Sequence, residues 1–253
     1  MKLSIFSLAA CVAATGATGQ FSDPFVTFNV SNANGSGSFT VDLAQTFPFP
    51  GGTTYSSAAF GPLFPLDITD GGGNVIATII TLNATSVEDD PATSFGDGFS
   101  VVDFSMTAGS LDTTVEIIST FASPAPGTYG ANPNVLANAG FTASDENGDG
   151  VTLASNGPNG QIADFYVNGD ASSGDVFASL ADGFGGGAFE SPSTFDSTGF
   201  VSATTAIDSY QMTANFTISA VDEASGSFSI AIPAPASGVL LALGGFAAAT
   251  RRR

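Results

Sequence analysis

Residues 210–220 read Tyr210-Gln211-Met212-Thr213-Ala214-Asn215-Phe216-Thr217-Ile218-Ser219-Ala220. Met212, Ala214, Phe216 and Ile218 alternate with Thr213, Asn215, Thr217 and Ser219. Successive side chains of an extended chain point to opposite faces, so this is a strand with one face buried and one face wet. The pattern recurs at Ser38–Leu43, where Phe39, Val41 and Leu43 oppose Ser38, Thr40 and Asp42. Further β-branched and aromatic runs cover 25–30, 75–82, 99–106, 113–121, 162–167, 200–207 and 226–232. Clusters of Gly, Ser, Thr, Asn and Asp separate them, and no window carries apolar residues at helical spacing. Short strands divided by turn clusters predict an all-β fold, an antiparallel β-sandwich of jelly-roll or Ig-like type. Its core is built on phenylalanine, with 23 Phe and no Trp. Each buried ring contributes about 2–3 kcal/mol, so a body over residues 20–228 can fold as one domain without a disulfide. Two stretches echo each other: 27–43, with Gly37-Ser38-Phe39-Thr40-Val41, and 215–232, with Gly226-Ser227-Phe228-Ser229-Ile230. Both read as hairpins.

Charge is distributed with unusual one-sidedness. All 23 carboxylates lie between Gln20 and Thr250, a stretch without Lys, Arg or His. The four basic residues are Lys2, Arg251, Arg252 and Arg253. The body therefore has no imidazole base or histidine metal ligand, no Schiff-base or phosphate-loop lysine, and no arginine clamp for phosphate. Nucleic acid is excluded as a direct partner, because binding it needs basic groups that displace counterions. Cys11, the single cysteine, lies in the N-terminal apolar segment, so the body has no thiolate chemistry.

Both ends read as addresses. Lys2 precedes the apolar run Leu3–Ala14, and small residues follow at Thr15–Gly19. That order predicts a secretory signal peptide over 1–19, cut after Gly19, with Gly16 as the other candidate point. Leu8-Ala9-Ala10-Cys11 also has the form of a lipobox, which would make Cys11 a lipidated N-terminus. At the other end, 229–253 forms a tail. Pro233-Ala234-Pro235 leads into the apolar run 238–250, and Arg251-Arg252-Arg253 ends the chain. The run reads as a hydrophobic helix and membrane span; counted from Ala231 to Thr250 it reaches 20 residues, within the range of about 17–25 that a span takes. The arginines stay on the cytoplasmic side, leaving the body outside.

This tripartite end resembles the PEP-CTERM sorting signal of bacterial exported proteins associated with exopolysaccharide. Pro233, Pro235, the apolar span and Arg251, Arg252 and Arg253 carry the likeness, with Ala234 where the signal usually has Glu. The resemblance covers only the tail. It implies recognition by an exosortase, removal of the tail, and delivery to the outer surface or extracellular matrix after passage through the export machinery and signal peptidase. It implies nothing about the fold or activity of the body.

Within the body, Asp145-Glu146-Asn147-Gly148-Asp149-Gly150 fits the first half of an oxygen-ligand calcium loop. Asp145, Asn147 and Asp149 would supply side-chain oxygens, the Val151 carbonyl a fourth ligand, and Gly150 the sharp turn. Over these residues the chain resembles the loops of dockerin and thrombospondin-type repeats. The position that should hold a bidentate carboxylate is Asn156, so a last ligand must come from elsewhere. The competing reading is an Asx-rich turn between strands. Glu88-Asp89-Asp90 is a solvated loop or a second weak cation site. Asp67, Asp70 and Gly71–Gly73 read as a turn, Gly183–Gly187 as a flexible loop, and Phe165 and Tyr166 as core or part of a sugar-stacking platform. Two functions fit this inventory: a non-enzymatic surface or matrix component that is calcium-stabilised and binds exopolysaccharide, or a secreted glycoside hydrolase using an Asp/Glu pair. Only five of the acids are Glu, which favours the first.

Overall fold

The computed structural model describes residues 20–49, 52–59, 64–87, 98–124 and 128–233. The signal segment with Cys11, the run Glu88-Asp89-Asp90, the span 238–250, Pro235 and the three arginines lie outside the described residues. Among the described residues no helix is long and apolar enough to cross a membrane.

The strands, in chain order, are β1 (Gln20–Phe21), β2 (Val26–Asn32), β3 (Gly35–Val41), β4 (Phe47–Phe49), β5 (Gly52–Ser56), β6 (Leu66–Thr69), β7 (Val75–Val87), β8 (Gly98–Ala108), β9 (Thr113–Ser119) and β10 (Ala122–Ser123). They continue as β11 (Asn134–Ser144), β12 (Val151–Ser155), β13 (Ala163–Val167), β14 (Asp175–Leu180), β15 (Phe184–Gly186), β16 (Ser193–Ser197), β17 (Val201–Ser202), β18 (Tyr210–Ile218) and β19 (Glu223–Ile232). Every pairing is antiparallel. One sheet runs β3-β2-β9-β18, with β12 and β13 on the far side of β18 and β15 and β14 outside them. The other runs β16-β11-β19-β8-β7-β5-β4, with β17 beside β11 and β6 beside β7. The all-β sandwich expected from the sequence is the architecture found.

Alternation places the core between the two sheets. Along β8 and β11 every second residue is buried. Phe28 and Phe216 from the first sheet meet Phe104 and Phe141 from the second, and Phe228 packs beside Phe141. Phe104 stacks on Phe216 at 5.8 Å between centroids and 15° between planes, and its edge contact with Phe28 is 6.2 Å. Phe141 lies 6.2 Å from Phe216 and 6.5 Å from Phe228. Offset and edge arrangements are those that the ring quadrupole favours.

Several local expectations change. Residues 215–232 are not a hairpin. β18 pairs with β9, β12 and β13, whereas β19 pairs with β8 and β11. The chain crosses from one sheet to the other through Ser219–Asp222, where Val221 takes a left-handed φ of 67°. The two alternating runs therefore face each other across the core instead of lying side by side. The stretch 27–43 is a hairpin, with Phe28 opposite Phe39. Of 200–207 only Val201–Ser202 is strand. Gly183–Gly187 contains β15, paired with β12, and a side chain at Gly183 would strike the Ser155 backbone nitrogen at 2.7 Å. β19 continues to Ile232, so residues 229–232, read from sequence as the head of the tail, are paired strand.

Candidate metal centre

The Asp145–Gly150 loop joins β11 to β12 at one end of the sandwich. Gly148 and Gly150 have φ of 86° and 99°, the left-handed region that glycine enters without a Cβ penalty. At Gly148 a Cβ would also meet the Phe189 ring at 2.4 Å. The ring caps the loop from outside and remains 76% exposed.

Asp145 is the pivot. Its Oδ1 accepts the N–H groups of Asn147 at 3.1 Å and Gly148 at 2.8 Å. Its Oδ2 accepts those of Gly150 at 3.1 Å and Phe189 at 2.6 Å. Asp145 is buried. Burial alone would push its carboxyl up, but the four backbone donors, led by Phe189, together hold it below the usual carboxylate range. Asn147 Oδ1 accepts the Asp149 N–H at 2.9 Å, and its amide donates to the Ala220 carbonyl at 3.2 Å. The loop is thus a nested pair of Asx turns, the competing expectation, and at the same time a convergence of acids.

Carboxylate oxygens of Asp145, Asp149 and Asp222 lie within 4.8 Å of one another. Sequence reasoning placed Asp145 and Asp149 here and missed Asp222. Asp222 comes from the corner between β18 and β19 and is fully buried. Its Oδ1 accepts the Glu146 N–H at 3.2 Å, and Ser219 donates its hydroxyl to Oδ2. Asn156 is not near this point; its amide meets the Thr217 hydroxyl at 2.7 Å. Val151 already lies in β12, opposite Gly186. A carboxylate offers about four lone-pair sites, and backbone donors fill those of Asp145. A hard cation here would draw its free ligands from Asp149 and Asp222, with Asp145 sharing oxygens that are already bonded. Oxygen-only donors of this kind suit calcium.

The other candidates separate. Asp70 accepts the Asn74 side chain and the Gly72 and Asn74 N–H groups, as a turn should. Asp67 accepts the Thr78 hydroxyl. Phe165 and Tyr166 are both buried, which removes them as a stacking platform. On the outer face of the first sheet, a shallow groove of about 610 Å³ has Asn29, Glu116 and Asn215 on its floor, in register across β2, β9 and β18. Asn29 donates to Glu116 Oε2 at 2.9 Å. Glu116 is the one carboxylate lining that groove.

No family model matches the chain, and no curated protein matches it. Among solved structures it is similar to infectious bursal disease virus, Gx strain, at 12% identity over 83% of this chain and 56% of that one, with a TM-score of 0.30. The VP2 subviral particle of infectious bursal disease virus gives 13% identity over 83% and 55%, TM-score 0.24. The enzymatically active domain of bacteriophage CBA120 tailspike protein 4 gives 16% identity over 60% and 17%, TM-score 0.21. The chain thus spans little more than half the length of the two infectious bursal disease virus chains.

Proposed function

We propose that this is an exported protein of the cell surface or extracellular matrix, whose body is non-catalytic and serves as a calcium-stabilised structural or binding module. In this reading a jelly-roll or Ig-like body carries an N-terminal signal over 1–19. Its C-terminal hydrophobic helix is inserted in the membrane, recognised by an exosortase through Pro233, Pro235 and Arg251–Arg253, and removed. Exopolysaccharide is the partner class that such an address implies.

One observation supports a non-catalytic body above the rest. Hydrolysis of a glycosidic bond takes two carboxyl groups facing each other about 5–9.5 Å apart, and Glu116 is the one carboxylate lining the groove on the first sheet. The three acids that do converge are tied to backbone N–H groups or a serine hydroxyl in two cases out of three. They are arranged as structure rather than as a free acid and base. The test has three arms. Intact-mass analysis of envelope protein should show a chain beginning near Gln20; a diacylglyceryl mass on Cys11 would replace this with the lipoprotein reading. Replacing Arg251–Arg253 with Ser should misroute the chain, and unchanged routing with an unchanged tail would sink exosortase sorting. Release of reducing sugar from polysaccharide by the purified protein would restore the hydrolase.

A further inference from the structure

One edge of the second sheet carries aromatic rings where an open edge usually carries charge. Among the large apolar side chains of the described residues, Phe189, Phe195 and Phe200 are the three most exposed, at 76%, 73% and 65%; Phe47, on the opposite edge, follows at 49%. All three stand on the segment 189–203, which borders β11 and its flanks along its length. Asp145 donates its N–H to the Glu190 carbonyl, Ala143 to Pro192, Thr198 to Ala137 and Ala203 to Pro133. Between these bonds β16 and β17 pair with β11 and with no other strand. Two of the rings rest on glycine. A Cβ on Gly148 would meet the Phe189 ring at 2.4 Å, and one on Gly140, the partner of Phe195, would stand 3.3 Å from that ring. With no side chain beneath, each ring lies against backbone and keeps the rest of its surface open. Phe200 borders Leu136, since Val201 pairs with Val135 and Thr198 bonds to Ala137. Leu136 and Gly140 are four residues apart, about 14 Å of strand, and Asp145, which accepts the Phe189 N–H, lies about 17 Å beyond Gly140.

The surface around Phe195 is rich in free polar groups. On the outer face of the first sheet such groups hold one another, Asn29 with Glu116 and Thr114 with Thr217. At the far end of the second sheet Thr54 holds Thr85 and Ser56 holds Asn83. Beside Phe195 the cross-strand pairs Asn138–Ser229, Gly140–Ser227 and Thr142–Ser225 follow one another on one face. Asn138, Thr142, Ser225, Ser227 and Ser229 make no side-chain hydrogen bond among the described residues. We infer that this edge is a binding platform for an uncharged polysaccharide. Phe195 stacks on the face of one sugar ring, the neighbouring amide and hydroxyls bond to its rim, and Phe189 and Phe200 meet units further along the polymer. A sugar ring has faces of C–H groups, whose partial positive charge suits the negative face of an aromatic ring, and a rim of hydroxyls. Rings about 14–17 Å apart with hydroxyls between them match that alternation, whereas a protein contact takes a continuous apolar centre. Charge narrows the partner. Glu190 and Asp196 are exposed on the same edge, and the body has no Lys, Arg or His, so an acidic polymer is repelled. A second copy on the open edge of β16 would bring Asp196 against an equally acidic surface. The stacking role that burial denies to Phe165 and Tyr166 falls to these rings. The inference rests on the reading of the body as a binding module and is independent of how the chain is sorted.

The test is native gel electrophoresis of the full chain with a polysaccharide cast in the gel. Hydroxyethylcellulose, dextran and galactomannan are the neutral probes, and alginate is the acidic one. A neutral polymer should slow the chain, and alginate should not. Loss of a ring that anchors a ligand costs about tenfold or more in affinity, so Phe195→Ala should raise the polymer concentration for half retardation by that factor. Phe195→Trp, which keeps a stacking face, should stay near the parent, and so should Phe47→Ala on the opposite edge. Equal denaturation midpoints across these variants, expected because the side chains are exposed, separate loss of stacking from loss of fold. Equal retardation of the parent and Phe195→Ala would overturn the platform and leave a glycan-binding body with its site elsewhere. Retardation by alginate alone would overturn it too. If no polymer slows the parent, the platform and the binding reading of the body both fail. A concentration-dependent dimer in sedimentation that Phe195→Ala abolishes would overturn the inference by giving the edge to a second copy.

Discussion

Gly226 and Phe141 are cross-strand partners, and a Cβ on Gly226 would lie 2.5 Å from the Phe141 ring. On the other side Gly226 pairs with Phe104, whose ring would be 3.0 Å from the same Cβ. The glycine is the gap into which two core rings lean, and those rings also contact Phe216 of the opposite sheet. Gly226→Ala should therefore overpack the core and destabilise by about 1–3 kcal/mol, lowering Tm by roughly 2–4 °C for each kcal/mol in a domain of this size. Gly71→Ala, where the added Cβ meets nothing within 4 Å, should change stability by less than about 0.5 kcal/mol. Equal denaturation midpoints for the two variants would contradict this account of the core.

The corner between β18 and β19 yields a second expectation. Asp222 is fully buried, receives the Glu146 N–H and the Ser219 hydroxyl, and its own carbonyl accepts the Ala108 N–H at 2.9 Å. Asp222→Ala leaves two donors without their acceptor. A buried polar group stripped of its partner costs about 1–3 kcal/mol, so urea denaturation should show a loss of that order. Ser219→Ala should cost less, since it leaves Asp222 with the Glu146 bond. If Asp222→Ala proves as stable as the parent, the corner is held by its backbone alone.

These two sites mark what the sequence makes legible. β18 is visible because Met212, Ala214, Phe216 and Ile218 alternate with polar residues. β11, an interior strand of the second sheet, escapes because Ala137, Ala139 and Ala143 fill its buried positions. Alanine carries little strand preference, and the strand is held by its neighbours. The false hairpin at 215–232 arises because two alternating runs joined by a short turn have the same pattern whether they pair or cross to another sheet. Asp145 and Asp149 are found by local spacing. Asp222 is 76 residues from Glu146, and no spacing rule reaches it. The one pointer was Asn156 at the position where a carboxylate was due.

Acid should weaken the fold in a defined window. Asn74, through its side chain and then its N–H, holds Asp70 below the usual carboxylate range. The hydroxyls of Ser172 and Ser173 take Asp170 down to about 2. Four backbone donors outweigh burial at Asp145. Each group has a folded pKa below its unfolded value of about 3.9. Its contribution is therefore present above that value and lost as pH falls through the folded one. At fixed high sodium chloride, stability should fall between about pH 4 and about pH 2, and Asp170→Asn should flatten the lower part of that fall. A midpoint that holds steady to pH 2 in the parent would rule the anchored carboxylates out as the cause.

The last expectation separates a cation site from a turn. Asp145, Asp149 and Asp222 bring three carboxylates within 4.8 Å, and the described residues hold no Lys, Arg or His to offset them. Any salt should help, because exposed charges are screened over about 8 Å at physiological ionic strength. Calcium bound at the three acids would add a specific increment, about 2.7 kcal/mol at 100 times its dissociation constant. Asp149 is the residue that distinguishes the two effects. It is exposed, whereas Asp145 and Asp222 anchor backbone N–H groups, so their loss would unsettle the loop with or without metal. Millimolar calcium at matched ionic strength should raise Tm in the parent. Asp149→Ala should abolish that increment while leaving the calcium-free stability within about 0.5 kcal/mol of the parent. If calcium adds nothing beyond sodium in the parent, or the increment survives Asp149→Ala, the loop is a nested Asx turn and the salt response is general screening of the body's charge.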